Sequence, residues 1–215
     1  MPRQNRVTPT GELVAVPDRG TLMGNRGCLH SADGRVLRSW QLKRWIVCVL
    51  EFKGRQRQVM KPGHYTELFF LDEPTALAAG HRPCAECQRE RFNAFRRALA
   101  TDRSGENVLW SAVEIDEQLH SERLAPNHSK RTYSARLDDL PDGTFVYLPT
   151  QGGIPLLVWG DSLLSWSAGE YTNRITRPSK VEAQVLTPEL TVSAIRGGYA
   201  PELHPTARAL LTPKS

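Results

Sequence analysis

The stretch AAGHRPCAECQRERF, residues 78–92, concentrates the side chains most able to do chemistry in this chain. It places Cys84 and Cys87 in a C-x-x-C pattern directly before a run of charged, helix-forming residues. Two cysteines at this spacing in a turn can direct both thiolates at one zinc ion while backbone N–H groups stabilise the sulfurs. The pattern therefore predicts half of a tetrahedral zinc site. A redox pair and two reduced, buried thiols are the alternatives.

The other two zinc ligands must come from elsewhere in the chain. Cys28 and His30 are the first choice, because the segment GNRGCLHSADG is rich in glycine and turn-forming residues and can wrap around an ion. Cys48 is the alternative, since it lies in an apolar run where a packed thiol explains it as well as a ligand does. The predicted ligands of a Zn2+ cofactor are Cys28, His30, Cys84 and Cys87.

A basic amphipathic helix is predicted directly after the C-x-x-C. Phe92, Phe95 and Leu99 recur on one face of it, with arginines around the rest. The chain carries a net charge of +5 and a pI of about 9.2, and such a balance favours an anionic partner, DNA or RNA first. The side chains predicted to contact phosphates are Arg82, Arg89, Arg91, Arg96 and Arg97.

A second group of residues could act in catalysis. The segment EIDEQLHSERL puts Asp116 and His120 four residues apart on a predicted helix, although such a pair is more often a surface contact. No Walker loop, dinucleotide fingerprint, G-x-S-x-G or H-E-x-x-H motif is present in the sequence. The candidate catalytic residues are His120, Glu122, His128 and Cys28, the last as a zinc-bound nucleophile.

The sequence predicts a succession of strands and helices that position these residues. The first twenty residues are interpreted as an arm with one short strand at ELVAV, and residues 45–52 as a strand. Asp72 is predicted to cap a short helix that ends at Gly80, and Gly160-Asp161 to form a tight hairpin. Thr187 and Pro188 are predicted to begin a further helix. The predicted fold is α+β, with a zinc-knuckle portion at residues 1–105 and a helix plus a mainly β portion at residues 106–215, which can also be one domain.

Composition limits the class of protein. The apolar fraction is 40% and the charged fraction 24%, which are values of a folded globular chain. The N-terminal stretch has no apolar core of the signal-peptide kind, and no run approaches the roughly 18 apolar residues of a membrane span. We therefore expect a cytoplasmic protein without a membrane partner; its oligomeric state is not predicted.

A resemblance adds to this interpretation. The string FFLDEPTALAAGHRPCAECQ resembles the second half of the zinc-binding domain of the bacterial Ada DNA-repair proteins, over about residues 65–88. It implies that Cys84 and Cys87 are the second pair of zinc ligands. The Ada domain supplies its first pair as C-x-x-x-C, one member of which accepts a methyl group from DNA; here Cys28 with His30 is the counterpart, so methyl transfer is not expected.

Over its full length the chain also resembles a family of bacterial proteins that share the landmarks TLMGNRGCLH, YTELFFLDE, GHRPCAEC and LPDG. This likeness implies a common unit and carries no activity with it. Three hypotheses follow: a zinc protein that contacts nucleic acid through its basic helix, a zinc- or thiolate-dependent hydrolase or transferase, and a protein whose zinc is purely structural.

Overall fold

The computed structural model describes residues 1–55, 58–102 and 109–212. These residues contain helices and two six-stranded sheets, which confirms the predicted α+β class. The strands are β1 (Gln4–Val7), β2 (Leu13–Ala15), β3 (Leu22–Asn25), β4 (Ile46–Cys48), β5 (Leu68–Phe70), β6 (Arg82–Pro83), β7 (Tyr133–Arg136), β8 (Phe145–Tyr147), β9 (Leu156–Trp159), β10 (Ser162–Trp166), β11 (Tyr171–Thr176) and β12 (Glu182–Val185). The α-helices are α1 (Glu73–Ala78), α2 (Arg89–Asp102), α3 (Ala112–Arg123), α4 (Glu189–Arg196) and α5 (Pro205–Leu211).

The first sheet has the strand order β2-β1-β5-β3-β4-β6. β1 runs parallel to β5, and β6 runs parallel to β4, while the remaining neighbours are antiparallel. The N-terminal residues are thus part of this sheet, whereas the sequence predicted an arm with a strand only at β2. Asn5 and Val7 are buried, and the Asn5 side chain donates a hydrogen bond to the Glu67 carbonyl at 3.1 Å. This side-chain contact and the buried valine hold β1 against β5.

Helix α1 begins and ends where the sequence predicts. The Asp72 carboxylate accepts the backbone N–H of Thr75 at 3.1 Å, which satisfies one of the free N–H groups of the first turn. Gly80 follows the helix with φ at +95°, and a Cβ there would lie 2.5 Å from the Arg123 side chain. Only glycine therefore fits this position, both for its backbone angle and for the close approach of α3.

The second sheet is antiparallel throughout, with the order β11-β10-β9-β8-β12-β7. Gly160 and Asp161 form the predicted two-residue turn between β9 and β10. Thr187 does not cap α4 as predicted, because its hydroxyl accepts the N–H of Phe145 instead. A carboxylate from α3, that of Glu122, accepts the Leu190 N–H at 2.8 Å and performs the capping role.

Helices of the two portions share buried contacts. One core cluster joins Leu77 and Phe95 from the first portion to Ile115 and Leu190 from the second. The predicted boundary near residue 105 lies outside the described residues. The chain therefore buries part of its core between the two portions.

Two adjacent acids of the first portion, Asp72 and Glu73, form hydrogen bonds with the second portion. The Asp72 carboxylate accepts the Tyr171 hydroxyl at 2.9 Å and the His204 N–H at 3.2 Å. Glu73 accepts the Glu202 N–H at 2.9 Å and the Tyr199 hydroxyl. Burial raises the pKa of both carboxyl groups, and these hydrogen bonds oppose that effect.

Candidate metal centre

Three cysteine side chains converge at the edge of the first sheet. The sulfurs of Cys48, Cys84 and Cys87 all lie within 4.8 Å of one another. Cys84 is buried and the other two are half-buried. Among the described residues these three form a group of ligand atoms close enough to hold a metal ion.

The pairing of β4 with β6 explains why Cys48 is the third member. Val47 lies opposite Pro83 in this parallel pair, and the Cys84 N–H donates to the Val47 carbonyl at 2.9 Å. Val47 is fully buried in the core, so the alternation of a strand turns Cys48 to the opposite face. The Gln88 side chain also donates to the Val47 carbonyl at 2.9 Å, which holds the start of α2 beside the cysteines.

The surroundings of the sulfurs favour thiolates. The backbone N–H of Glu86 donates to the Cys84 sulfur at 3.4 Å. Hydrogen bonding from Cys48 is the largest effect on both thiols of the C-x-x-C: it lowers the pKa of Cys84 to about 5 and also lowers the pKa of Cys87. The same contacts raise the pKa of Cys48, so the three thiols titrate as one coupled group.

A cavity of about 350 Å³ lies against the cysteines. All three line it, and the exposed face of β3, β4 and β5 forms its floor. Arg55 and Glu86, which form an ion pair at 2.7 Å, also line the cavity. The group of three cysteines therefore borders a space large enough for a small molecule.

Cys28 and His30 do not belong to this group, which corrects the predicted ligand set in favour of its alternative, Cys48. β3 and β4 are antiparallel with Met23 opposite Cys48, so the loop after β3 lies at the far end of the pair. The Cys28 thiol is 3.7 Å from the carbonyl oxygen of His30. The ring Nδ1 of His30 hydrogen-bonds the Thr66 hydroxyl at 2.6 Å, and the side chain is buried.

Arg82, one of the predicted phosphate contacts, is buried in an ion pair. Its guanidinium donates two hydrogen bonds to the Asp116 carboxylate, at 2.9 and 2.8 Å, and the residue is only 2% exposed. The guanidinium also lies 5.0 Å from the centre of the Phe92 ring. This paired geometry fastens β6 to α3. Asp116 is consequently turned away from the predicted pairing with His120.

Two more of the predicted arginines have protein partners. Arg91 hydrogen-bonds the buried Glu73, the Tyr199 hydroxyl at 3.1 Å and the Ala200 carbonyl at 2.9 Å. Arg96 donates to two backbone carbonyls just before α3. Arg89 and Arg97 are exposed and have no ion pair within the part of the chain that the structure describes.

None of the four candidate catalytic residues, His120, Glu122, His128 and Cys28, belongs to the cavity lining. The rings of His120 and His128 both pack edge-on against Trp40, at 4.7 and 5.9 Å between centres. Burial lowers the pKa of His120, as does the Arg123 guanidinium, which donates to its Nδ1 at 3.2 Å. Glu122 is used as the cap of α4. These contacts place the three residues away from the cysteine group and its cavity.

The sequence interpretation missed the acidic and aromatic side chains of the cavity floor. Glu67 and Phe69 lie on the same side of β5 as the cavity, and Leu68 and Phe70 face the core. In the segment ELFF, residues 67–70, successive side chains point to opposite faces of the strand. This alternation is the sequence signal that distinguishes the cavity face from the core face. The same alternation in WIVC separates Cys48 from Val47.

Comparisons of the chain with models of protein families, with curated proteins and with solved structures return no match. The resemblance to the Ada zinc-binding domain therefore stays a prediction. Within residues 1–55, 58–102 and 109–212, no helix is long and apolar enough to cross a membrane.

Proposed function

We propose that Cys48, Cys84 and Cys87 bind a zinc ion and that the protein is a zinc-dependent enzyme acting on a small molecule in the adjacent cavity. The observation that carries the proposal is the position of all three sulfurs in the wall of that cavity. Catalytic zinc sites have three protein ligands and one exchangeable position, whereas structural sites have four protein ligands.

The donor set supports zinc as the metal. Thiolates are soft ligands, which suit zinc, and a tetrahedral ion with bonds of about 2.3 Å separates its sulfurs by about 3.8 Å. That separation lies inside the observed limit of 4.8 Å. Zinc held in this way supplies a Lewis acid at its remaining position. The protein contributes the three thiolates and a cavity that partly excludes water.

An exchangeable position can be tested without knowing the substrate. The protein is loaded with Co2+, and imidazole is added while the visible absorption bands are recorded. We expect the bands of thiolate-bound Co2+ to shift with saturation, because imidazole reaches the metal through the cavity. A Phe69→Trp variant, which fills the cavity floor, should weaken this binding at least about tenfold. Bands that do not respond to imidazole would indicate a closed, structural site.

Nucleic-acid binding is a second candidate, favoured by the exposed and unpaired state of Arg89 and Arg97 on α2. We expect the double variant Arg89→Ala, Arg97→Ala to weaken binding to a DNA duplex and to lower the salt slope of log K by about two. Fluorescence anisotropy at several salt concentrations measures both quantities. Arg208→Ala, a change of an exposed arginine on α5, is the control. Binding that is absent, or unaffected by the double change, would remove this candidate.

A further inference from the structure

Glu67 is a buried carboxylate in the cavity floor. The residue is only 4% exposed, and its Oε2 accepts the Met60 N–H at 2.6 Å. Within the described part of the chain, no lysine or arginine forms an ion pair with it. Arg55, the cation in the cavity lining, is paired with Glu86. Among the described residues no cation pairs with this buried carboxylate, so a positively charged group of a ligand would stabilise it.

The register of the first sheet places Glu67 relative to the cysteines. Cys48 faces Met23 on β3, and Met23 faces Phe69 on β5, so these three side chains form one row across the floor. Glu67 precedes Phe69 by two residues and points to the same side. Two strand spacings and one two-residue step separate the Cα atoms of Cys48 and Glu67 by about 12 Å. The acid and the metal-binding group thus lie at opposite ends of the floor.

The surface between these ends is mostly apolar. Met23 and Phe69 lie on it, Phe52 also lines the cavity, and Asn25 adds one amide beside the acid. The Arg6 guanidinium lies 4.8 Å from the centre of the Phe69 ring, and Lys53 and Arg55 lie over the Phe52 ring. Glu67, rather than these rings, is therefore the group that would attract a flat organic cation. A molecule about 6–8 Å long fits between the acid and the cysteines, given the spacing of the strands.

We infer that Glu67 binds the positively charged nitrogen of the small-molecule ligand, so that the cavity accepts an amidinium, guanidinium, ammonium or protonated ring compound. The inference rests on the proposed function in one respect, that the cavity beside the cysteines is the substrate site. Glu67 is here a binding residue that sets specificity. The other end of the ligand faces the thiolates.

Benzamidine and benzamide test the inference with the zinc-loaded protein, because they share size and shape but differ in charge. Titration calorimetry should show that wild-type protein binds benzamidine at least about tenfold more tightly than benzamide. Glu67→Gln keeps an acceptor for the Met60 N–H and should abolish this preference. Glu90→Gln removes an exposed carboxylate of α2 that lies outside the cavity lining, and it should leave the preference intact.

The outcomes separate this inference from the proposed function. Benzamidine that binds wild-type protein no better than benzamide, or not at all, overturns the role of Glu67 even if zinc is bound. This comparison needs no variant, so it holds even if Glu67→Gln fails to fold. A protein that binds no zinc but prefers benzamidine through Glu67 would contradict the zinc enzyme and support the cation site. Zinc content is therefore measured on every sample.

Discussion

Replacing Cys84 with serine is expected to reduce bound zinc from one ion per chain to nearly none. Cys84 is the most buried of the three cysteine residues, its sulfur accepts a backbone hydrogen bond, and its loss would leave two thiolates at the site. Cys48→Ser should have a similar effect, because only two ligands would remain. At free zinc about a thousand times above its Kd, the lost binding corresponds to about 4 kcal/mol of unfolding free energy. Elemental analysis and thermal unfolding with and without a chelator measure the two effects.

Cys28→Ser is the matched control for these substitutions. Cys28 is half-buried and lies at the far end of the β3–β4 pair, so its loss should leave both the zinc content and the effect of the chelator unchanged. Loss of zinc in Cys28→Ser, together with its retention in Cys48→Ser, would restore the ligand set first predicted from the sequence. A wild-type protein without bound metal would refute the zinc proposal itself.

Arg82→Met is expected to destabilise the protein by about 3–5 kcal/mol. The change leaves the Asp116 carboxylate buried without the two hydrogen bonds that it accepts from the guanidinium, and breaking a buried ion pair on one side has this cost. Urea unfolding measures the difference. The zinc content at a temperature where the variant is folded should not change, because Arg82 contributes no ligand.

The double variant Arg82→Met, Asp116→Leu separates the ion pair from a role in binding. Removing both charges leaves no unpaired acid, so the double variant should recover most of the stability lost in the single one. A single variant that loses less than about 1 kcal/mol but binds nucleic acid much more weakly would show that Arg82 contacts phosphates after all.

Local signals in the sequence predicted several elements correctly. Asp72 as a cap, Gly80 as the end of α1 and the Gly160-Asp161 turn depend on neighbouring residues alone, and all three are present. β1 was not predicted because its polar residues are typical of an irregular N-terminal segment. Its partner β5 comes more than sixty residues later. The pattern of neighbouring residues does not show which distant segment a strand pairs with.

The site was predictable only in part for the same reason. The C-x-x-C spacing identified Cys84 and Cys87, but the choice between Cys28 and Cys48 depends on which strand lies beside β6. A sequence also shows that an arginine is charged, but it does not show which carboxylate the arginine pairs with in the fold. Arg82 meets Asp116 across 34 positions of the chain, and Glu122 caps a helix that begins more than sixty residues later.

The neighbouring acids Asp72 and Glu73 have a consequence for how the molecule unfolds. Each is buried and makes part of its hydrogen bonds with groups of the C-terminal portion, so a fragment that ends near residue 105 would keep the contacts from Thr75 and Arg91 but lose those from Tyr171, Tyr199, Glu202 and His204. The chain should therefore melt in a single cooperative step. Because these acids begin the helix that leads directly to β6 and Cys84, local unfolding of the second sheet would also disturb the positions of the three cysteines.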